Sequence, residues 1–396
     1  MPAFSAGLIS LVLGYMLSQF YRAFLAVLAP TLRQELGATA GDLALSSGLW
    51  FLAFAAMQLP VGTALDRWGP RRTVGVLLAV GGAGGAAVFA LAAAPWHLHL
   101  AMTMLGVGCS PALMGPYYIF AREYPASAFG TLAGMLVGFG SLGNILGAAP
   151  LVWIVQTFDW RPTLWGLVVV TLFAAGLILA QVRDPARLGN DQPRGSLGQI
   201  VRLRALWFIL PLFAVNYAVA AAIRGLWAGP WLEQVHHADA TQIGRYTLAM
   251  GLAMVAGSFC AGPATRLLGG ARRAMMVFTC MMIAALLTMW LAPGLGSFWA
   301  VIQLMTLGFF GSGYPLLMAH GKSFLPQHLV GRGVTFLNMF SIGGAGVMQF
   351  ASRPVFGAAQ AAYPSAQAFA MLWLFFLIPL VVGFLLYFLT PEADNG

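Results

Sequence analysis

Two arginines, Arg22 and Arg224, lie within long apolar stretches at about 6–30 and 205–230. A charged side chain near the middle of a membrane costs about 2.5–3.5 kcal/mol, so it has to face a partner or a polar cavity. Neither stretch contains an Asp or a Glu that could neutralise its arginine. Guanidinium groups bind carboxylates and phosphates through two hydrogen bonds at once. The two arginines therefore predict a site for an anion.

Polar side chains on the same stretches could complete that site. Gln19 and Tyr15 precede Arg22 by three and seven residues, which puts them on one face of a helix. Tyr217 precedes Arg224 by the same seven residues, and Asn216 lies beside it. The alternative is that both arginines extend toward the outer surface or bond to backbone carbonyls, in which case they have a structural role.

The composition places these residues in an all-α integral membrane protein. Of the 396 residues, 60% are hydrophobic and only 8% are charged, whereas a soluble domain has about 25% charged residues. Apolar stretches long enough to span a membrane recur along the whole chain. Twelve spans are predicted, at about 6–30, 43–64, 73–94, 99–121, 128–156, 161–182, 205–230, 241–264, 274–292, 298–322, 333–356 and 367–389.

The net charge of +9 comes from basic residues that lie mostly between these spans. Such charges orient a membrane protein, because cytoplasmic loops carry more Lys and Arg, and they do not indicate nucleic-acid binding. If both termini are cytoplasmic, fourteen of the 20 basic residues lie on the cytoplasmic side, four lie on the other side, and Arg22 and Arg224 lie within spans. This bias predicts a multi-pass protein of a bacterial-type inner membrane.

The sequence repeats itself after about 200 residues. The Tyr15–Arg22 spacing recurs as Tyr217–Arg224 at an offset of 202, and Pro125 recurs as Pro326 at an offset of 201. Such a constant offset indicates duplication. We predict an N-terminal six-helix bundle at 1–182, a polar cytoplasmic linker at 183–204, and a C-terminal six-helix bundle at 205–396.

A polar, basic turn, Gly62–Arg72, separates the second and third spans. Its charges cannot lie in hydrocarbon at low cost, and its glycines allow backbones to approach closely. The pattern G-x-x-x-D-R-x-G-x-R-R resembles the loop between helices 2 and 3 of the major facilitator superfamily of transporters, and the resemblance extends over all twelve spans. The residues that carry the pattern are Gly62, Asp66, Arg67, Gly69, Arg71 and Arg72.

This resemblance implies two pseudo-symmetric six-helix bundles that hold a substrate at mid-depth and work by alternating access. Arg22 and Arg224 would then line a central cavity. It also implies a cytoplasmic gate formed by the motif together with Arg122 and Glu123 at the end of the fourth span. In the resembled family the loop aspartate contacts the start of helix 11 in the outward-facing state. The alternative is a set of surface ion pairs, worth about 0–1 kcal/mol each.

The sequence departs from the family where proton coupling is concerned. The family often has an arginine in helix 4 four residues before a glycine, and that position here is Met102, before Gly106. His320 and Glu123 are the remaining titratable residues in or at the ends of spans that could carry a proton. A structural role for His320 is the simpler interpretation.

These observations predict a secondary active transporter for a small anionic organic solute, acting by proton symport or exchange. We expect a monomer in the lipid bilayer, no cofactor, and no enzymatic activity, since no Walker loop or nucleophile elbow is present. Three alternatives remain: efflux of amphipathic drugs, a non-transporting receptor, and copper import through Met250, Met254 and Met282, because thioethers suit Cu(I).

Overall fold

The computed structural model describes residues 6–186 and 197–391, and every regular element in these ranges is helical. Residues 187–196 of the predicted linker, including its arginines at 187 and 194, lie outside the described residues.

The described residues of the first half of the chain form nine α-helices. A six-residue π-helical segment, Leu78–Ala83, connects the third and fourth of them. The helices are α1 (Ala6–Leu36), α2 (Ala40–Ala56), α3 (Gln58–Leu77), α4 (Gly84–Ala90), α5 (Pro95–Cys109), α6 (Met114–Glu123), α7 (Ala126–Leu146), α8 (Ala149–Phe158) and α9 (Trp160–Gln181).

The described part of the second half starts with a short helix. It contains a second π-helical segment, Ile223–Trp227, and later a 3-10 turn, Gln327–Leu329. Its helices are α10 (Leu197–Val201), α11 (Arg204–Ala222), α12 (Ala228–His236), α13 (Ala240–Leu267), α14 (Ala271–Leu291), α15 (Ser297–Gly311), α16 (Tyr314–Lys322), α17 (Val330–Ala362) and α18 (Ser365–Phe388).

Eleven helical segments of the described residues are long and apolar enough to cross a membrane, and Leu45–Ala56 is a shorter apolar helix. One of the eleven, Gln58–Ala90, has 33 residues and contains the predicted turn. A single residue, Gly69, leaves the helical conformation there (φ 80, ψ 166). Dividing this segment at Gly69 and joining its first part to α2 gives the twelve predicted spans. The predicted turn Gly62–Arg72 is thus shorter than expected, because helix continues on both sides of Gly69.

Two capping boxes show the duplication at the level of local structure. Thr39 and Asp42 cap the start of α2, and Asp239 and Gln242 cap the start of α13. In each box the side chains of the cap and of the third helical residue bond each other's backbone N–H groups, which would otherwise lack partners. The Thr39 hydroxyl and backbone N–H donate to the Asp42 carboxylate and hold its pKa below its usual range.

The described residues form two compact units, and their helix pairings repeat. In the first unit α1 packs on α9 and α2 packs on α5; in the second α11 packs on α18 and α13 packs on α15. The first unit comprises Met1–Pro125, Phe139–Leu197 and Leu325–Met339, and the second comprises Ala126–Gly138, Gly198–Phe324 and Phe340–Gly396. The beginning of α7 therefore packs with the second unit and the beginning of α17 with the first.

Glycines of α7 and α17 make these close packings possible. A Cβ placed on Gly143 of α7 would collide with the backbone of Met16 in the first unit, and one placed on Gly344 of α17 would collide with the backbone of Ala214 in the second. Small residues allow membrane helices to approach closely, because packing rather than water exclusion joins them.

Candidate functional site

Arg22 lies near the middle of the 31-residue helix α1, about 20–25 Å from either end at 1.5 Å per residue. Its guanidinium carbon lies 5.0 Å from the ring centre of Trp50 and 5.7 Å from that of Phe51 on α2. The two rings are inclined at 79° to each other, so they form a corner around the cation. Cation–π contacts of this kind attract the charge without neutralising it.

Gln19 and Tyr15 lie beside each other one turn apart on α1. The Gln19 amide nitrogen donates to the Tyr15 hydroxyl over 3.1 Å, and both residues are buried. The Tyr15 ring lies against Gly140 of α7, where any side chain would collide with it. The predicted neighbourhood of Gln19 and Tyr15 on one helix face is therefore present.

Arg224 lies in the π-helical segment Ile223–Trp227. Such wide turns are rare and recur at functional sites. A Cβ placed on Gly251 of α13 would lie 3.0 Å from an Arg224 side-chain nitrogen, so the guanidinium occupies space that a larger residue would fill. Tyr217 interacts electrostatically with Arg224. The predicted pair Tyr217 and Arg224 is thus brought together within the second unit.

Asn216 is fully buried and points to a sulfur atom. Its amide nitrogen donates to Met282 Sδ over 3.2 Å. Met250 and Met254 pack their side chains against Gly308 of α15. These contacts are those of methionines that fill space between helices, and they favour packing over copper binding for Met250, Met254 and Met282.

Asp66 lies at the first turn of α17 within the first unit. Its carboxylate accepts hydrogen bonds from the backbone N–H groups of Gly331 and Arg332, and its Oδ2 lies 3.6 Å from Arg332 Nε. The first N–H groups of a helix lack partners within the helix and carry partial positive charge, so a carboxylate there is stabilising. Asp66 thus caps a helix that begins 264 residues later in the chain.

Gly62, one turn before Asp66, lies directly against α17. A Cβ at this position would be 2.9 Å from the Cα of Arg332 and would overlap the Thr335 hydroxyl. One further turn back, Gln58 Oε1 accepts a hydrogen bond of 3.0 Å from Asn338 Nδ2, and both residues are buried. We call these three contacts, made by Gln58, Gly62 and Asp66, the α3–α17 latch.

Gly69 and Arg71, in the second part of the motif, contact Asp184 and the end of α9. The Arg71 backbone N–H donates to Asp184 Oδ1 over 2.8 Å, and its side chain donates to the carbonyl of Leu179 near the end of α9. A Cβ on Gly69, which has a positive φ, would collide with the Asp184 carboxylate. In the second unit Arg272 donates to the carbonyl of Phe388 at the end of α18 over 2.7 Å.

Of the other residues predicted for the gate, one is hydrogen-bonded within the protein and three are exposed. Arg122 donates to the Tyr118 hydroxyl over 2.6 Å, and its charge also acts on Asp66. Arg67, Arg72 and Glu123 are exposed.

His320 lies inside the second unit. Its Nδ1 is 2.8 Å from the Tyr387 hydroxyl, and its ring packs edge-on against Phe324. The contacts of this buried pair agree with the structural interpretation of His320.

Four contacts were not predicted from the sequence: those of Trp50 and Phe51 with Arg22, of Gln58 with Asn338, and of Asp184 with Gly69. A signal for Gln58 exists, since Gln58, Gly62 and Asp66 are spaced by four residues and so share one helix face. Nothing in the sequence pairs Asp184 with Gly69.

Comparison with known proteins identifies the family. The family described as Major Facilitator Superfamily matches residues 11–348. The fold matches the E. coli fucose:proton symporter FucP with a TM-score of 0.73 at 18% identity, over 97% of this chain and 98% of that one.

Three curated relatives match shorter parts. The uncharacterised transporter YybO of Bacillus subtilis is 27% identical over 151 residues, which are 37% of this chain and 33% of YybO. The probable sulfoacetate transporter SauU of Cupriavidus necator is 26% identical over 167 residues, 41% of this chain and 39% of SauU. The methyl viologen resistance protein SmvA of Salmonella typhimurium is 30% identical over 229 residues, 55% of this chain and 43% of SmvA.

In each case the chain spans less than half the length of the curated relative that it matches. The family model, in contrast, matches residues 11–348, which contain most of the twelve spans and the motif Gly62–Arg72. The chain therefore belongs to the Major Facilitator Superfamily, and its described residues contain eleven helical segments long and apolar enough to cross a membrane.

Proposed function

We propose that this transporter moves a small organic anion, with Arg22 and Arg224 as anion-binding residues. The observation that carries the proposal is the setting of Arg22, which lies within the apolar segment Ala6–Leu25 of α1 and against two aromatic rings. An arginine within a membrane-spanning segment is costly and marks a functional site by default. The apolar stretches around both arginines contain no carboxylate.

The neighbouring side chains support a ligand with hydrogen-bonding groups. Tyr15 and Gln19 near Arg22, and Tyr217 and Asn216 near Arg224, offer donors and acceptors in each unit. The partial similarity to a probable sulfoacetate transporter agrees with an anionic solute, since sulfoacetate carries a carboxylate and a sulfonate.

Thermal stabilisation of the purified protein tests this proposal. A ligand that binds the folded state raises the melting temperature by mass action. We expect sulfoacetate, acetate or inorganic phosphate to stabilise the wild type, and Arg22→Ala or Arg224→Ala to weaken the binding about tenfold or more, because each removes charged hydrogen bonds. Arg353→Ala, which removes an exposed arginine of α17, is the matched control for net charge. Stabilisation that survives both arginine substitutions would contradict the proposal.

Efflux of an amphipathic cation is the second candidate. The partial similarity to a methyl viologen resistance protein favours it, as does an aromatic cluster in the second unit formed by Trp227, Phe356, Phe369, Trp373 and Trp231. Stabilisation by methyl viologen, with no response to any anion, would select this function. Under that outcome Arg22 and Arg224 have structural roles.

We propose that the α3–α17 latch is the cytoplasmic gate and that the motif lies at the cytoplasmic surface. Both termini would then lie in the cytoplasm, and the membrane would be a bacterial-type inner membrane. The excess of basic residues on that side supports the orientation. We further propose two six-helix halves at 1–182 and 205–396 and a monomeric state. Transport would be coupled by proton symport or by anion exchange. Glu123 and His320 are the residues to test for proton coupling.

A further inference from the structure

Trp50 lies beside Arg22, and the role inferred for it rests on the proposed function of Arg22 as an anion-binding residue. Trp50 is the nearer of the two rings that flank the Arg22 guanidinium, and it is 1% exposed. Its ring also stacks on Phe54 at 5.0 Å with an angle of 26°, one turn further along α2. A ring held on several sides gives Arg22 a rigid surface rather than a mobile neighbour.

Trp50 and Phe51 restrict the directions from which a ligand can reach Arg22. Their faces carry negative electrostatic potential, which attracts the guanidinium but repels an anion. Since the rings stand at 79° and both lie near the guanidinium, an anion has to approach on the side away from this corner. The guanidinium donors are arranged as a planar fork, which two oxygens of one head group can match.

We propose that Trp50 is a positioning residue for Arg22, and that the resulting site selects oxyanion head groups (carboxylate, sulfonate or phosphate) over a monatomic anion such as chloride. A head group with two oxygens makes two parallel hydrogen bonds to a guanidinium held in one orientation. Chloride offers a single centre and gains nothing from that orientation. Loss of the Trp50 ring therefore weakens the binding of oxyanions more than it weakens the binding of chloride.

The experiment measures apparent affinities by thermal stabilisation with methanesulfonate, acetate and chloride as probes. We expect the wild type to prefer both oxyanions to chloride by about tenfold or more. Trp50→Phe keeps an aromatic face and should retain this ratio within about twofold. Trp50→Leu should lower it about five- to tenfold, which lies within the energy of a cation–π contact. A general packing defect would lower the melting temperature without changing the ratio.

Phe51→Leu gives an independent variant, because Phe51 is only half-buried and its loss is less damaging to folding than that of Trp50. We expect it to lower the oxyanion-to-chloride ratio at least about threefold. A wild type that binds chloride as tightly as methanesulfonate, or variants that keep the wild-type ratio, would overturn the inference. If no anion stabilises the wild type, or if Arg22→Ala has no effect, the proposed function itself fails.

Discussion

The side-chain amides of Gln58 and Asn338 are joined by a buried hydrogen bond of 3.0 Å, although 280 residues separate them in the chain. Gln58 also donates to the carbonyl oxygens of Phe54 and Ser110. Its amide thus ties α3 to α17 and to the end of α5. Two turns further along α3, Asp66 caps the same helix, so polar contacts hold both ends of the latch and Gly62 lies between them.

We expect Gln58→Leu and Asn338→Leu each to destabilise the protein by about 1–3 kcal/mol, because each leaves a buried amide without its partner. The double substitution should cost less than the sum of the two. Melting temperatures of the four proteins, read as a double-mutant cycle, measure the coupling. Additive effects would show that the bond contributes nothing of its own.

Gly62→Val should disrupt the contact of α3 with α17. Its side chain would have to occupy space within 2.9 Å of the Arg332 Cα, and the backbone there cannot move aside as a side chain could. We expect transport in reconstituted liposomes to fall at least about tenfold. Gly48→Val is the matched control, since no atom of the described residues lies within 4 Å of a Cβ at Gly48. Equal effects of the two substitutions would contradict this interpretation.

Asp66→Asn should loosen the latch, because a neutral amide loses the interaction with Arg332 and with the positive helix terminus. Reaction of a maleimide with Thr335→Cys, placed in a background without the three native cysteines, measures access to this buried position. We expect labelling several times faster with Asp66→Asn, and unchanged with Arg67→Ala, which alters an exposed charge of the same motif. Unchanged labelling in both would argue that Asp66 has no latch role.

Arg71 and Arg272 hold equivalent helix ends in the two units, since each donates to a carbonyl near the end of the last helix of its half. Their positions differ by 201 residues, the offset of the duplication. We expect Arg71→Ala and Arg272→Ala to lower the melting temperature by similar amounts, each consistent with an exposed hydrogen bond worth about 0.5–1.5 kcal/mol. Arg72→Ala, at an exposed neighbouring residue, should have little effect.

The capping box at α2 makes the stability of the folded protein depend on pH. The pKa of Asp42 is lowered by its bonds from Thr39, so the ionised form is favoured in the folded state. This contribution is present above the ordinary value of 3.8 and is lost as the pH falls through the lower, folded-state pKa. We expect Asp42→Asn to reduce the melting temperature at pH 7 but not at about pH 2–3. An equal reduction at both pH values would contradict this account.

The sequence by itself determined the number of spans, the internal duplication, the motif that resembles the superfamily, and the two arginines within spans. These follow from properties that each residue carries wherever it is placed. An apolar side chain belongs in hydrocarbon, and a charge does not. The starts of α2 and α13 are equally local, because a cap and the third residue of its helix are sequence neighbours.

The tertiary structure alone decided which helix faces meet. In a soluble protein an apolar face indicates the core, but in a membrane the faces toward lipid and toward other helices are both apolar, so hydropathy does not separate them. The bond between Gln58 and Asn338, the contact of Gly69 with Asp184, and the position of Trp50 beside Arg22 depend on that pairing. Each joins residues whose types allow contact with many partners, and only close packing of particular helices selects one.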